Sequence, residues 1–222
     1  MDKIKILNLY ACLGGNRYKW NEVAEKAGVE IEVTAVELDE ELAKMYSERF
    51  SNDRVIVKDA HQYLLDYYKE FDFIWSSPPC PTHSRARFAR KNTTKPIYPD
   101  LKLYEEILFL DNYFKGKYVV ENVIPYYQPL ITAKKRGRHL YWTNFNLPNN
   151  LNERNANIME GEDEVARWCV FHDFNFYKYK GTQRKVKIAR NLVDYEAGRT
   201  IFETVLGITR KQNVKQISIF DS

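Results

Sequence analysis

Ile4-Lys5-Ile6-Leu7-Asn8-Leu9-Tyr10-Ala11-Cys12-Leu13-Gly14-Gly15 opens the chain with an apolar run that stops at a glycine pair. The run Ile4–Leu9 is short and rich in Ile and Leu, which predicts a strand buried on both faces. The glycines let the backbone turn and approach a ligand. Asn16–Ala27 then predicts a helix closed by Gly28, with free N–H groups at its start. The glycines do not follow the Gly-x-Gly-x-x-Gly spacing, so a dinucleotide fingerprint is unsupported.

Working outward, the alternation repeats. Strands are predicted over Ile31–Val36, Arg54–Val57, Phe71–Trp75, Lys117–Val120 and His139–Phe145. Helices are predicted over Asp39–Phe50, His61–Tyr68, Leu101–Tyr113 and Tyr195–Leu206. Strand–helix alternation implies an α/β fold with a doubly wound, mostly parallel sheet. Right-handed crossovers collect the loops after the strand C-termini along one edge, where ligands bind in this class. Gly14, Glu37, Asp59, Cys80 and Glu121 fall at that edge. Residues 146–189 show no clear period.

The chain has 222 residues, 44% of them hydrophobic and 29% charged. That supports a folded domain and excludes a disordered chain. No apolar run approaches a membrane span, and the N-terminus lacks the features of a secretory signal. Three widely spaced cysteines argue against a disulfide framework and point to a reducing cytoplasm. No His and Cys spacing suggests a metal site, and Cys169 and His172 are expected to be structural. A monomer is expected.

The net charge of +4 conceals an asymmetry. Residues 77–99 hold Arg85, Arg87, Arg90, Lys91 and Lys95 and no acid. Residues 131–142 hold Lys134, Lys135, Arg136 and Arg138, and residues 178–190 hold Lys178, Lys180, Arg184, Lys185, Lys187 and Arg190, again with no acid. All 30 acids lie elsewhere. An acidic body with three basic segments suits a polyanion partner, although solvated basic loops give the same pattern.

Two strand ends carry chemistry. Ser76-Ser77-Pro78-Pro79-Cys80 puts a cysteine on a backbone stiffened by prolines. Its thiolate is a strong nucleophile if cations such as Arg85 and Arg87 depress its pKa. Glu121-Asn122-Val123 follows the fifth strand, where a buried carboxyl can hold a proton near neutral pH. Arg136 and Arg138 lie two residues apart, on one face if extended. At the other end, Glu37 can accept from ribose hydroxyls and Asp59 from an adenine amine.

Together these segments resemble the DNA cytosine carbon-5 methyltransferases, in a compact form like those of phage or prophage origin. Tyr10 to Gly15 resembles the family's Phe-x-Gly-x-Gly motif, with Cys12 where glycine is usual. Pro79-Cys80 resembles the nucleophile motif, with Pro81 for the usual Gln and Ser84 as the trailing serine. Glu121-Asn122-Val123 is intact, Lys134-x-Arg136-x-Arg138 resembles Gln-x-Arg-x-Arg, and Arg190-Asn191-Leu192-Val193 resembles a late Gly-Asn-x-Val motif without its glycine. The resemblance implies a Rossmann-like S-adenosyl-L-methionine-dependent methyltransferase fold. It implies catalytic roles for Cys80, Glu121, Arg138 and Arg136, and cofactor contacts from Tyr10, Leu13, Gly14, Gly15, Glu37, Leu38, Asp59, Ala60, Pro78, Asn191 and Val193. It implies contacts to double-stranded DNA from Ser84, Arg85, Arg87, Arg90, Lys91, Lys134 and Lys185, with base flipping and closure of the loop 81–99. A catalytic domain over 1–145, a small target-recognition region over 146–189 and a completing helix within 190–208 follow. Only 14 residues separate Glu121 from Arg136, so the helix and strand usual there are expected to be reduced.

In the tail 209–222, Gln216-Ile217-Ser218-Ile219-Phe220 resembles the peptide by which bacterial enzymes dock on the replication sliding clamp, with Gln216, Ile219 and Phe220 as anchors. Ser77-Pro78-Pro79 also resembles the exocyclic-amine methyltransferases, but that motif needs an aromatic at position 80. An RNA-directed member of the carbon-5 family and a non-catalytic DNA-binding relative are the other readings.

Overall fold

The structure is a computed structural model and describes residues 3–154 and 161–208. The clamp-peptide residues Gln216, Ile219 and Phe220 lie outside the described residues.

The first strand, β1 (Lys3–Leu9), has both neighbours of the sheet's core on its flanks: β2 (Glu30–Glu37) and β4 (Phe73–Ser76), each parallel to it. Parallel pairs continue to β3 (Arg54–Val57) on one side and β5 (Lys117–Val123) on the other. A hairpin, β6 (Lys134–Arg136) and β7 (His139–Thr143), joins antiparallel, with β7 against β5. The sheet order is β3-β2-β1-β4-β5-β7-β6. The chain winds one way from β1 and the other way from β4, so the loops after these two strands flank the switch point where open α/β sheets bind ligands.

Side-chain alternation sorts the strands' residues between two layers. Ile6, Val33, Phe73, Trp75, Val119 and Tyr141 face helices α1 (Trp20–Ala27) and α8 (Tyr195–Val205) through Trp20, Val23, Ile201 and Phe202. Leu7, Leu9, Val36, Ile74, Val120 and Trp142 face α3 (Ala60–Tyr67) and α5 (Lys102–Tyr113) through Leu64, Leu103, Ile107 and Leu110. Asp39, Asp59 and Asp194 cap α2 (Glu40–Arg49), α3 and α8 by accepting backbone N–H bonds. Gly28 closes α1 at φ 68°.

Helix α1 starts at Trp20 rather than Asn16. Residues 16–19 are drawn into a buried polar network instead: Asn16 donates to Asn8 (2.8 Å), and Arg17 forks onto Asp53 (2.9 and 2.8 Å). Free N–H groups of a helix start therefore do not follow Gly15. The basic loop contains a short helix, α4 (Arg85–Ala89), capped by the Ser84 hydroxyl.

Between Glu121 and Arg136 no helix is present and the strand is reduced to the three residues of β6. Arg136 and Arg138 do not share an extended face, because Gly137 turns the chain at φ 51°. Residues 161–192 form α6 (Glu164–His172), a 3₁₀ turn at Phe176–Lys178 and α7 (Lys185–Asn191). Their Trp168, Phe176, Tyr179 and Ile188 pack against Leu13 and against Leu42 and Met45 of α2. Phe176 is thus a core residue on a turn. Cys169 and His172 are internal: the Cys169 sulfur accepts from the Phe176 N–H, and His172 bonds the Ala189 carbonyl (3.0 Å). No described helix is long and apolar enough to cross a membrane.

Candidate active site

The loop after β4 carries Cys80, and β5 carries Glu121. Asn122 ties the two together. Its side-chain amide donates to the Pro78 carbonyl (2.8 Å), and its Oδ1 accepts from the Val123 N–H (2.9 Å). The Cys80 carbonyl accepts from the N–H groups of His83 and Ser84 (3.0 and 3.1 Å), which turns the chain sharply after the thiol. Below that turn, buried His83 meets the Tyr127 hydroxyl (2.5 Å). The cysteine therefore sits on a loop pinned at both ends.

Cys80 and Glu121 line one cavity of about 580 Å³, open along the C-terminal edge of the strands. Burial raises the Cys80 thiol's pKa and the Glu121 charge adds to it, while Lys187 and Arg138 pull it down by less. The resting group is thus a thiol, and the condition that the sequence reading set for a thiolate, cations that depress the pKa, is not met on balance. Arg85 and Arg87 do not supply the charge: Arg85 donates to the Pro125 carbonyl (3.2 Å) and Arg87 to the Lys95 carbonyl (2.7 Å).

Glu121 is nearly inaccessible, and its Oε1 lies 3.5 Å from Nε2 of His139. The other ring nitrogen of His139 lies 3.6 Å from Oε1 of Glu153. The Tyr141 hydroxyl donates to the same Glu153 oxygen (3.2 Å). At Gly137 the positive φ of 51° favours glycine, and the end of the Glu153 side chain lies against the position of its absent Cβ.

At the other end of the cavity, Glu37 accepts from the Cys12 N–H (2.8 Å) and the Asp39 N–H (2.9 Å). Burial raises its pKa against these two bonds. Tyr10 and Cys12 both adopt positive φ, 55° and 46°, a conformation that costs a non-glycine residue about 1–3 kcal/mol. The Cys12 N–H bond to Glu37 helps hold it. Tyr10 donates to Glu106 (2.6 Å), a buried carboxylate that also receives Ser76 (2.5 Å) and meets His61 (3.0 Å). Gln183 reaches the wall by donating to Asp39 (2.9 Å).

Residues 4–123 match the family model for C-5 cytosine-specific DNA methylases. The chain belongs to this family. A comparison with curated proteins gives no match. Among solved structures, a DNMT2 mutant from Spodoptera frugiperda is 24% identical (TM-score 0.37) over 54% of this chain and 35% of that one. TrmN from Thermus thermophilus is 17% identical (TM-score 0.36) over 55% and 33%. The methyltransferase EhMeth from Entamoeba histolytica is 9% identical (TM-score 0.41) over 98% and 91%. The match thus spans about a third of the first two proteins' length.

In this chain, Tyr10, Glu37, Leu38, Asp59, Ala60, Pro78, Cys80, Glu121 and Asn191 share the cavity wall. Sequence reasoning missed His139, Gln183, Asp100 and Lys102 on the same wall, and left Lys187 and Arg190 as members of a basic segment. Leu13 is fully buried against α2 and lies off the wall. The glycine pair serves packing rather than ligand approach: the Phe50 and Tyr46 rings close over Gly14, and the Val193 carbonyl closes over Gly15. Val193 is core.

The basic residues divide. Arg138 is exposed, stands off the cavity wall, and acts on Cys80 only through its charge. Arg136 turns away and donates to the carbonyls of Pro148 and Leu147. Lys134 spends its ammonium on Thr143 (2.8 Å) and the Phe145 carbonyl (2.6 Å). Arg136 and Lys134 therefore brace the hairpin instead of facing a base or phosphate. Arg90 and Lys91 are exposed, and Ser84 is the cap of α4. Lys185 begins α7 outside the cavity wall. Among the described residues, no three His, Cys, Asp or Glu side chains gather as a metal site.

Proposed function

We propose that this chain methylates carbon 5 of cytosine in double-stranded DNA. The observation that carries the reading is the shared cavity: a thiol, Cys80, and a nearly inaccessible carboxyl, Glu121, on one wall, held in register by Asn122.

The acidic end of the cavity fits an adenosyl group. Each Glu37 oxygen takes one backbone bond and keeps a lone pair for a ribose hydroxyl, and Asp59 keeps acceptor capacity beside its cap bond for an amine. S-adenosyl-L-methionine, when bound, supplies the methyl group that carbon 5 receives.

The protein residues do the rest. Cys80 loses its proton to solvent and attacks carbon 6 of the cytosine. Glu121, protonated, gives its proton to ring nitrogen 3 as negative charge develops on the ring. Arg138 bonds the ring oxygen. After transfer, the carbon-5 proton leaves to water, nitrogen 3 returns its proton to Glu121, and the Cys80–carbon 6 bond breaks. Carbon 6 is out of reach in a stacked duplex, so the base must be flipped into the cavity. The loop 81–99, with exposed Arg90 and Lys91, lies where phosphates would pass. Bisulfite sequencing of DNA from cells expressing wild type and Cys80→Ala tests this. Protected cytosines appear only with wild type; protection by Cys80→Ala contradicts the mechanism.

A further inference from the structure

Glu121 is asked to lend a proton from a site that a flipped base would seal from water. Among the described residues its only recorded ion-pair partner is His139, 3.5 Å away. His139 is itself largely buried, and its Nδ1 has no hydrogen-bond partner although Glu153 Oε1 stands 3.6 Å off. Glu153 is the more accessible carboxylate, at 21% side-chain exposure against 8% for Glu121. The three side chains therefore line up from the cavity wall toward solvent.

We propose that His139 is a positioning residue that stores the proton Glu121 lends to the cytosine. The proposal rests on the reading above of Glu121 as the donor to ring nitrogen 3. Before transfer Glu121 is protonated and His139 stands as an imidazolium between it and the Glu153 carboxylate. When nitrogen 3 takes a proton from Glu121, Glu121 takes one from Nε2 of His139. The imidazole is left neutral, with its remaining proton on Nδ1 toward Glu153. The three protein groups lose one positive charge and the base gains it. When the carbon-5 proton leaves, nitrogen 3 gives its proton back and the imidazolium reforms.

Facing His139 are Glu121 from β5 and Glu153 from the segment after β7, with Tyr141 of its own strand beside it and Arg138 in the hairpin turn before it. A neutral imidazole with its proton on Nδ1 has none to pass to Glu121, so the relay needs the imidazolium.

The test uses the full chain, mixed-sequence plasmid DNA and S-adenosyl-L-methionine with a labelled methyl group. Wild type is compared with His139→Gln and Glu153→Gln, and cofactor calorimetry and thermal melts separate misfolding from lost chemistry. His139→Gln keeps a polar side chain beside Glu121 but cannot carry a proton. Its kcat falls about 100-fold while KM for DNA stays within about twofold, and its pH profile loses the fall toward alkaline pH. Glu153→Gln removes the carboxylate beside Nδ1 of His139 and lowers kcat by less than His139→Gln does. A wild-type protein that places no methyl on carbon 5 overturns the proposed function and this role with it. An active wild type whose variants keep its kcat and pH profile overturns the role of His139 alone. Should His139→Gln fail to fold, a Glu153→Gln variant with the wild-type kcat overturns it.

Discussion

The Asn122 amide reaches 2.8 Å to the carbonyl of Pro78 and so joins the strand that bears Glu121 to the loop that bears Cys80. Both ends of this bond are buried or nearly so. Asn122→Ala leaves a buried carbonyl unpaired, and unfolding free energy falls by about 1–3 kcal/mol in denaturant titrations. The loop loses its register with Glu121, so methyl transfer drops in kcat more than in KM for the cofactor.

Cys80 and Glu121 also speak through charge. Burial, then the Glu121 carboxylate, raises the thiol's pKa, and Lys187 counteracts. Alkylation of Cys80 by iodoacetamide, followed by mass spectrometry at fixed neutral pH, is expected to run faster in Glu121→Gln and slower in Lys187→Ala. In both and in wild type the rate rises with pH, because only the thiolate reacts. Glu121→Gln thus gains thiol reactivity while losing methylation.

Tyr10 stands where the family's aromatic is usually phenylalanine, and its hydroxyl donates to buried Glu106 at 2.6 Å. Tyr10→Phe removes a bond to a charged group, worth about 1.5–3 kcal/mol of stability by thermal or chemical melt. The ring that lines the cofactor end loses its tether, so S-adenosyl-L-methionine binds more weakly by calorimetry, whereas Cys80 alkylation is unchanged.

His172 lies under the packed segment 161–192 with its ring against Trp168, centroids 5.4 Å apart. Burial lowers its pKa to about 3, against the bond to the Ala189 carbonyl. The folded protein resists protonation that the unfolded chain accepts at about pH 6.5. Stability contributed by neutral His172 is therefore present above about pH 6.5 and is lost progressively as pH falls from there toward 3. Melting temperature is expected to fall over that window, and His172→Phe is expected to flatten the dependence.

Much of this architecture is local and therefore legible. The apolar runs became strands, and Asp39, Asp59 and Gly28 cap helices through bonds to their own neighbours. The Pro-Cys and Glu-Asn-Val stretches pointed to Cys80 and Glu121 through their resemblance. What escaped depends on distant packing. His139 reaches Glu121 because β7 pairs antiparallel with β5, with His139 opposite Val123. Lys187 and Gln183 reach the cavity because a stretch without clear period folds against α2. Gly14 and Gly15 looked like a ligand approach and instead admit the rings of Phe50 and Tyr46 and the Val193 carbonyl. The arginine pair reads as one face only if extended, and Gly137 turns the chain between them.

The central claim is that Cys80 bonds covalently to carbon 6 of a cytosine. Duplex DNA carrying 5-fluorocytosine at all cytosine positions keeps a fluorine that cannot leave as a proton does, so the enzyme–base bond persists. Incubated with S-adenosyl-L-methionine and resolved under denaturing conditions, wild type is predicted to form a protein–DNA adduct whose peptide map places the link at Cys80, and Cys80→Ala is predicted to form none. Methyl transfer to unmodified DNA without any such adduct, or an equal adduct from Cys80→Ala, would contradict the account.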